Sequence, residues 1–424
     1  MGERYLVISS DCHAGPESGH YRDYMDPEFV EAYDAARAAG ATRRNALMGT
    51  EDGRIRFREK WIEDTGDGGI HSVPDAHKRD ALLDDDGVAA EVIFPDADVL
   101  GLGGVDSSPF GSGLGSSGRS DAGEVMAGAR AHNRWLAELC AQSPDRRAGV
   151  ACVPILHDPQ AAVEEIRWAA EHGLKGGIMI PSSWAPLPGY NDERYEPVWN
   201  ACVEYDMTVQ THSGGSLGDI TGGPGATAIL ASESWFVPAR PLWVMLLGGV
   251  FERHPTLRLA ITEDGAWWVP DVIERADDKY LGTNHNVLKM GDNAFRDVLK
   301  MKPSEYFERN CWVGASTPTP SEIARRERIG INSLMWGNDF PHPEGTWPHT
   351  RDWLAIRFHD VPEPQCRKIF GLNALDCYPG FDADRLGKIA DRIGPTVHDV
   401  HVAPVPANPD VAAGLMSAAE DTFV

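Results

Sequence analysis

Asp11 and His13 stand two residues apart at the end of the apolar run RYLVISS. In an extended chain alternate side chains point the same way, so this pair can share one face while Cys12 points to the other as a small buried hydrophobe. Later apolar runs end in the same kind of residue. His212 closes MTVQTH, Glu263 and Asp264 close LRLAITED, and Asp339 closes SLMWGND. Just beyond it, FPHPEGTWPH adds His342, Glu344 and His349. Carboxylates and imidazoles are ligands of catalytic metals. Taken singly, each has an ordinary structural role: a turn cap, a core histidine, an arginine partner. Brought together they would form a metal centre. Competing chemistries lack their signatures, since the chain has no G-x-S-x-G elbow, no phosphate-binding G-x-x-x-x-G-K-[ST] loop and no H-E-x-x-H helix.

The elements that must position these residues alternate in type. RYLVISSD, AAEVIFP, RAGVACVPI, KGGIMIP, MTVQTHSG, LRLAITED, NCWVGAS and SLMWGND read as strands, largely apolar and mostly separated by helical patterns. This rhythm predicts an α/β fold, a (β/α)₈ barrel, with a mostly parallel open sheet as the runner-up. A barrel carries its active site at the C-terminal strand ends, which is where Asp11, His13, His212, Glu263 and Asp339 fall. His254 precedes strand 6, at the opposite end, and reads as structural, as do His157 and His172. Trp235, Trp267, Trp268, Trp336 and Trp347 lie near predicted strand ends, where some could wall an apolar pocket. A polar stretch of about 17–75 reads as an insertion with short helices. The Gly/Ser-rich loop of about 101–121 reads as a linker or a lid over the mouth. The barrel is expected over 1–380, and the Pro/Ala-rich segment 381–424 is expected to be an extended tail.

Composition narrows the partners. The 424 residues are 42% hydrophobic and carry a net charge of −25. That charge is the wrong sign for a nucleic-acid binder. The opening MGERYLVISSDCH is not expected to be a signal peptide, and no apolar run reads as long enough to span a bilayer. Seven scattered cysteines with no CxxC pair fit a reducing cytoplasm.

At these residues the chain resembles the amidohydrolase-2 branch of the metal-dependent amidohydrolase superfamily. The resemblance runs from ISSDCHAGP through HPTLRLAITEDGAWWVPDVIER to MWGNDFPHPEGTWP. It implies a TIM-like barrel with a metal held by a strand 1 H-x-H pair, a strand 5 histidine and a strand 8 aspartate. It also implies hydrolysis or non-oxidative decarboxylation. His13, His212 and Asp339 match that pattern. Asp11 departs from the first histidine of the pair, and Glu263 departs from a strand 6 histidine. The set Asp11, His13, His212, Glu263, Asp339 and His342 is therefore rich in carboxylate, and large for one ion that must keep an open position. In this it is similar to barrel enzymes that activate dioxygen at a non-haem diiron site on coenzyme A-linked substrates. That resemblance implies a monooxygenase hydroxylating an unactivated carbon of an acyl-CoA or terpenoid-type substrate in secondary metabolism. It would use two iron ions, dioxygen and an electron donor, with His212, Glu263 and Asp339 as catalytic residues. The alternative is a hydrolase or non-oxidative decarboxylase using zinc or manganese, with a metal-activated water and Asp339 as proton shuttle. A binding protein on an inactive barrel would need lost ligands, and the set is intact. A homodimer is compatible with the resemblance.

Overall fold

The computed structural model describes residues 3–17, 19–47, 74–96, 108–114, 121–213, 229, 232, 236–282, 294–342 and 345–402. Eight parallel strands follow one another in chain order: β1 (Ile8–Ala14), β2 (Ala90–Pro95), β3 (Arg147–Cys152), β4 (Gly177–Met179), β5 (Val209–His212), β6 (Leu259–Thr262), β7 (Cys311–Gly314) and β8 (Leu334–Met335). Each overlaps its sequence-predicted segment, with β1 starting four residues later than expected and β8 holding only two of the seven expected residues, and helices stand between most of them. The sheet closes on itself. Ser10 N–H donates to the Trp336 carbonyl at 3.0 Å, Asp339 N–H to Asp11 at 2.9 Å, and His13 N–H to Phe340 at 2.7 Å. The fold is the expected (β/α)₈ barrel.

Every strand residue is buried, because each strand has packing on both faces. Alternation divides the core in two. Val92, Val150, Ala260, Trp312 and Met335 pack together inside the barrel, with Tyr378 and Phe381 beneath. Their neighbours Ile93, Ala151, Ile261 and Val313 face outward, onto Leu136, Ile166 and Phe251 of the helical layer. Helix starts follow readable caps. Asp121 accepts from Glu124 N–H, Asp158 from Gln160 and Ala161, and Thr319 forms a reciprocal box with Glu322.

Three boundaries differ from expectation or lie partly outside view. The C-terminal segment is not an extended arm from residue 381: Ala383–Ile393 and Val397–His401 are helices. They are tied to the first residues of the chain, with Tyr5 N–H donating to Pro395 at 2.9 Å and Val397 N–H to Glu3 at 2.9 Å. Asp382 caps the first of them and Leu386 joins the barrel floor, which the Pro/Ala composition farther along obscures. In the expected insertion the described part holds short turns and the helix Val30–Leu47, while 48–73 lie outside the described residues. Within the expected lid, only 108–114 and Asp121 are described, and Pro109 there packs closely on Gly128 of the helix Ala122–Ala141. No helix of the described residues is long and apolar enough to cross a membrane. All seven cysteines are buried and free.

Candidate metal centre at the barrel mouth

The end of β1 carries a register shift between Ser9 and Cys12. This irregularity sits beside β8, where Gly337 approaches so closely that a Cβ there would lie 2.6 Å from Asp11 Cβ. Asp11 and His13 are fully buried and face one another, with His13 Nε2 3.4 Å from Asp11 Oδ1. Cys12 points elsewhere and joins the outer core, as expected. From β5, His212 places Nε2 3.1 Å from the same Asp11 oxygen. From the end of β8, Asp339 places Oδ1 3.4 Å from His13 Nε2. His342 follows one turn later, with Nδ1 3.0 Å from that Asp339 oxygen and its ring stacked on His13 at 4.1 Å.

Two tight groups result: Asp11, His13 and His212, and His13, Asp339 and His342. Glu263 belongs to neither. It faces the far nitrogen of His212 at 3.5 Å and accepts from the Ser213 hydroxyl. So five of the six candidate ligands converge, and Glu263 backs one of them. Glu344 lies outside the described residues. His254 pairs with Glu196 at 2.7 Å, away from this set. His172 stacks on Trp168 at 4.0 Å in its own helix. Of the tryptophans proposed to wall a pocket, Trp336 is fully enclosed in the core and Trp235 lies outside the described residues. Trp267 is partly exposed and meets the exposed Phe236 edge-on at 5.6 Å.

Sequence reasoning missed two residues. Asp96, directly after β2, is buried with its Oδ1 3.6 Å from His342 Nε2. Its signal was the same as that of the others, an acid closing an apolar run, in VIFPD. Ser316, beyond β7, donates its hydroxyl to Asp11 Oδ2. A lone serine after a strand gives no such signal.

The backbone is strained where it serves the site. Glu263, Ser316 and Asp339 adopt φ of 55°, 49° and 52°, a left-handed conformation uncommon for non-glycine residues. Three successive strand ends, β6, β7 and β8, therefore turn their side chains through the same unfavourable conformation.

Electrostatics sort the groups by role. Burial pulls His13 down to about 4, with His342 adding to the effect, so it is a neutral imidazole at neutral pH. Burial also opposes charge on His212, but Asp11 and Glu263 outweigh it and lift His212 to about 9. Burial would raise Asp11, and the neighbouring His212 and His13 reverse this and hold it well below the usual carboxylate range. Asp339 is pushed well up by burial, against the pull of His342.

Two buried atoms here have no hydrogen-bond partner, His13 Nε2 and Asp339 Oδ1. His13 Nδ1 lies 3.1 Å from the Pro95 carbonyl, which takes a proton on that side and leaves the Nε2 lone pair facing the carboxylates. A neutral imidazole and carboxylate oxygens converging in a buried place, with those two atoms unsatisfied, fit a divalent cation.

The family model described as Amidohydrolase matches residues 103–380. The chain belongs to the amidohydrolase family. Among curated proteins it is similar to the gamma-resorcylate decarboxylase of Rhodococcus jostii (strain RHA1), 28% identical over 273 residues, covering 59% of this chain and 76% of the relative. It is also similar to the gamma-resorcylate decarboxylase of Rhizobium sp. (strain MTP-10005), 26% identical over 244 residues, covering 53% and 68%. Among solved structures it resembles the 5-carboxyvanillate decarboxylase of Novosphingobium aromaticivorans complexed with manganese and 4-hydroxy-3-methoxy-5-nitrobenzoic acid. The TM-score is 0.60 at 19% identity, over 89% of this chain and 99% of that one. At that identity the likeness is one of fold.

These relatives overturn the monooxygenase expectation, and with it the coenzyme A-linked substrate, the dioxygen and the electron donor. The two-iron reading loses its support as well. It rested on Asp11 and Glu263 as extra oxygen ligands, and Glu263 stands behind His212 rather than in either tight group. The remaining oxygen donors suit any hard divalent ion, manganese included, and do not select iron.

Proposed function

We propose that this protein is a metal-dependent, non-oxidative decarboxylase acting on a small aromatic carboxylate. The observation that carries it is the buried His13–Asp339 pair of unsatisfied atoms at the barrel mouth, in a chain whose curated relatives are gamma-resorcylate decarboxylases. Asp11, His13, His212, Asp339 and His342 would hold one divalent ion, manganese or zinc. A bound ion would orient the substrate's oxygens and stabilise the negative charge that develops on them.

The reaction breaks the bond between the ring and its carboxylate, leaves the electron pair on the ring carbon, releases CO₂ and adds one proton to that carbon. The chain's part is to desolvate the carboxylate and deliver the proton. Phe94 lies against His212 at 4.5 Å and gives the inner wall an apolar surface. Asp339 is the proton carrier of this reading: burial raises the proton affinity of its carboxyl in the metal-free site, and an ion bound there would oppose that, so that a proton taken up would be readily returned. Without metal, Asp11 and Glu263 lift the proton affinity of His212; on ligating an ion it would give up that proton, and the ion would supply the positive charge for an anionic substrate.

The test incubates manganese-loaded protein with 2,6-dihydroxybenzoate and related hydroxybenzoates in D₂O. Expected are CO₂ and a phenol carrying one solvent deuterium at the vacated carbon, in equal amounts and without oxygen uptake. Absence of CO₂ from every hydroxybenzoate, with turnover of amides or lactones instead, would transfer the site to hydrolysis.

A further inference from the structure

β2 contributes no residue to either tight group, yet its end touches both stacked imidazoles. The Pro95 carbonyl lies 3.1 Å from His13 Nδ1. The next residue, Asp96, sets its carboxylate 3.6 Å from His342 Nε2. The two contacts are alike in kind, at hydrogen-bond distance for His13 and at ion-pair distance for His342. Each places an oxygen acceptor on the nitrogen turned away from the centre, and each leaves the other nitrogen facing Asp339. For His13 that inner nitrogen is Nε2, 3.4 Å from Asp339 Oδ1. For His342 it is Nδ1, 3.0 Å from the same oxygen.

We propose that Asp96 is a positioning residue of the metal centre: it holds His342 through Nε2, so that Nδ1 and Asp339 Oδ1 together present a ligand pair to the ion. The inference rests on the metal-dependent reading of the site. A histidine ligand whose outer nitrogen meets a carboxylate is fixed in tautomer and ring orientation, and made a better donor. Burial favours the assignment. Asp96 is only 6% exposed, and among the described residues its ion-pair partner is His342. The stacking explains why orientation matters. His342 lies within 22° of parallel to His13, and a ring rotated out of that plane would carry Nδ1 away from Asp339.

The same segment thus acts on two histidines by two means, a main-chain carbonyl and a side-chain carboxylate. Only the second can be altered by substitution, which makes Asp96 the informative residue. Its backbone continues the strand pairing, since Asp96 N–H donates to Ala14 at 3.1 Å, so substitution leaves the β2 end attached to β1.

The experiment measures Mn²⁺ affinity of purified full-length protein by competition with a chelating dye, together with the melting temperature of the metal-free protein. Asp96→Ala should weaken Mn²⁺ binding about 10- to 100-fold, with the metal-free melting temperature close to that of wild type. Asp96→Asn keeps an oxygen acceptor for Nε2–H and should bind nearer to wild type than Asp96→Ala does. In a His342→Ala background, Asp96→Ala should have no further effect, because the group it acts through is gone. Unchanged affinity in Asp96→Ala, or the same additional loss with His342 already removed, would overturn the proposal. Mn²⁺ binding is read without turnover, so a protein that binds the ion as described but releases no CO₂ would remove the decarboxylase reading and leave this one standing.

Discussion

His13 and Glu263 lie at opposite ends of one chain of contacts, which runs from His13 through Asp11 and His212 to Glu263. Position along that chain sets what each substitution does. His13→Ala removes a buried neutral ligand and the unsatisfied Nε2, and should reduce Mn²⁺ content to background with loss of turnover. Glu263→Ala removes a carboxylate 3.5 Å from His212 Nδ1, which keeps the Ser213 carbonyl at 2.9 Å, so it should leave a protein that still takes up Mn²⁺, at most about 10-fold more weakly. Metal analysis after dialysis separates the two, and equal loss in both would return Glu263 to the ligand set. Ser316→Ala belongs in the Glu263 class. It takes away the hydroxyl that orients Asp11 Oδ2, and a weakening of the same order is expected by dye competition. His254→Ala, whose imidazole pairs with Glu196, should leave metal content as in wild type.

Strands and helices impose costs that the site residues do not reveal. Glu91 in β2 is fully buried between Arg79 and Arg147, with Arg79 Nη2 at 2.6 Å and Arg147 Nε at 3.4 Å. It draws β2, β3 and the helix Ala76–Asp86 together. Glu91→Ala leaves two buried guanidinium groups short of a partner, although Arg147 keeps Asp80 at 2.7 Å. A loss of about 3–5 kcal/mol is expected, read from the shift in a urea unfolding curve. A second test falls where β8 meets β1. Gly337→Ala would press a methyl group against Asp11, and relieving the contact should cost about 1–3 kcal/mol. Mn²⁺ affinity should fall with it, because Asp11 cannot move without leaving His212. Full affinity in a destabilised Gly337→Ala protein would separate packing from the site.

Across the whole molecule, Asp86 joins distant parts of the chain. It ends the helix Ala76–Asp86 and accepts from the N–H of Thr350 at 2.9 Å, while its other oxygen has no partner. Burial raises its pKa from 3.8 to about 7, against the pull of Thr350. The sign follows from linkage. Between these two values the native state keeps a proton that the unfolded chain has lost. Asp86 therefore favours folding most at low pH, and its contribution declines as pH rises, by about 1.4 kcal/mol per unit across that window. Asp86→Asn keeps the acceptor for Thr350 and cannot ionise. The stability of wild type relative to this variant should fall between pH 4 and pH 7 and level off above. A constant difference in denaturant midpoint across that range would show that Asp86 does not titrate there.

The sequence by itself determined the eight strands, their parallel order and which acids and histidines close them. Those are local properties: apolar runs buried on both faces, and the polar residue that ends each run. It also carried the family, through residues at strand ends whose types are demanded by a metal. Three matters belonged to the tertiary structure alone. Glu263 moved behind His212 because the left-handed backbone after β6 directs its side chain, and no spacing reports a positive φ. Ser316 joined the centre because β7 lies beside β8, and Asp96, although its place at the end of an apolar run was legible, could be matched to His342 only once β2 stood beside β1 in the closed barrel. Helices to His401 replaced the expected arm because Leu386 packs into the barrel floor and His401 meets the Tyr5 hydroxyl at 2.6 Å, a residue almost 400 positions away in the chain. The carboxylate-rich donor set was visible in the sequence, but oxygen donors alone do not choose among hard divalent ions. Only the placement of each donor decided which of them face a common point.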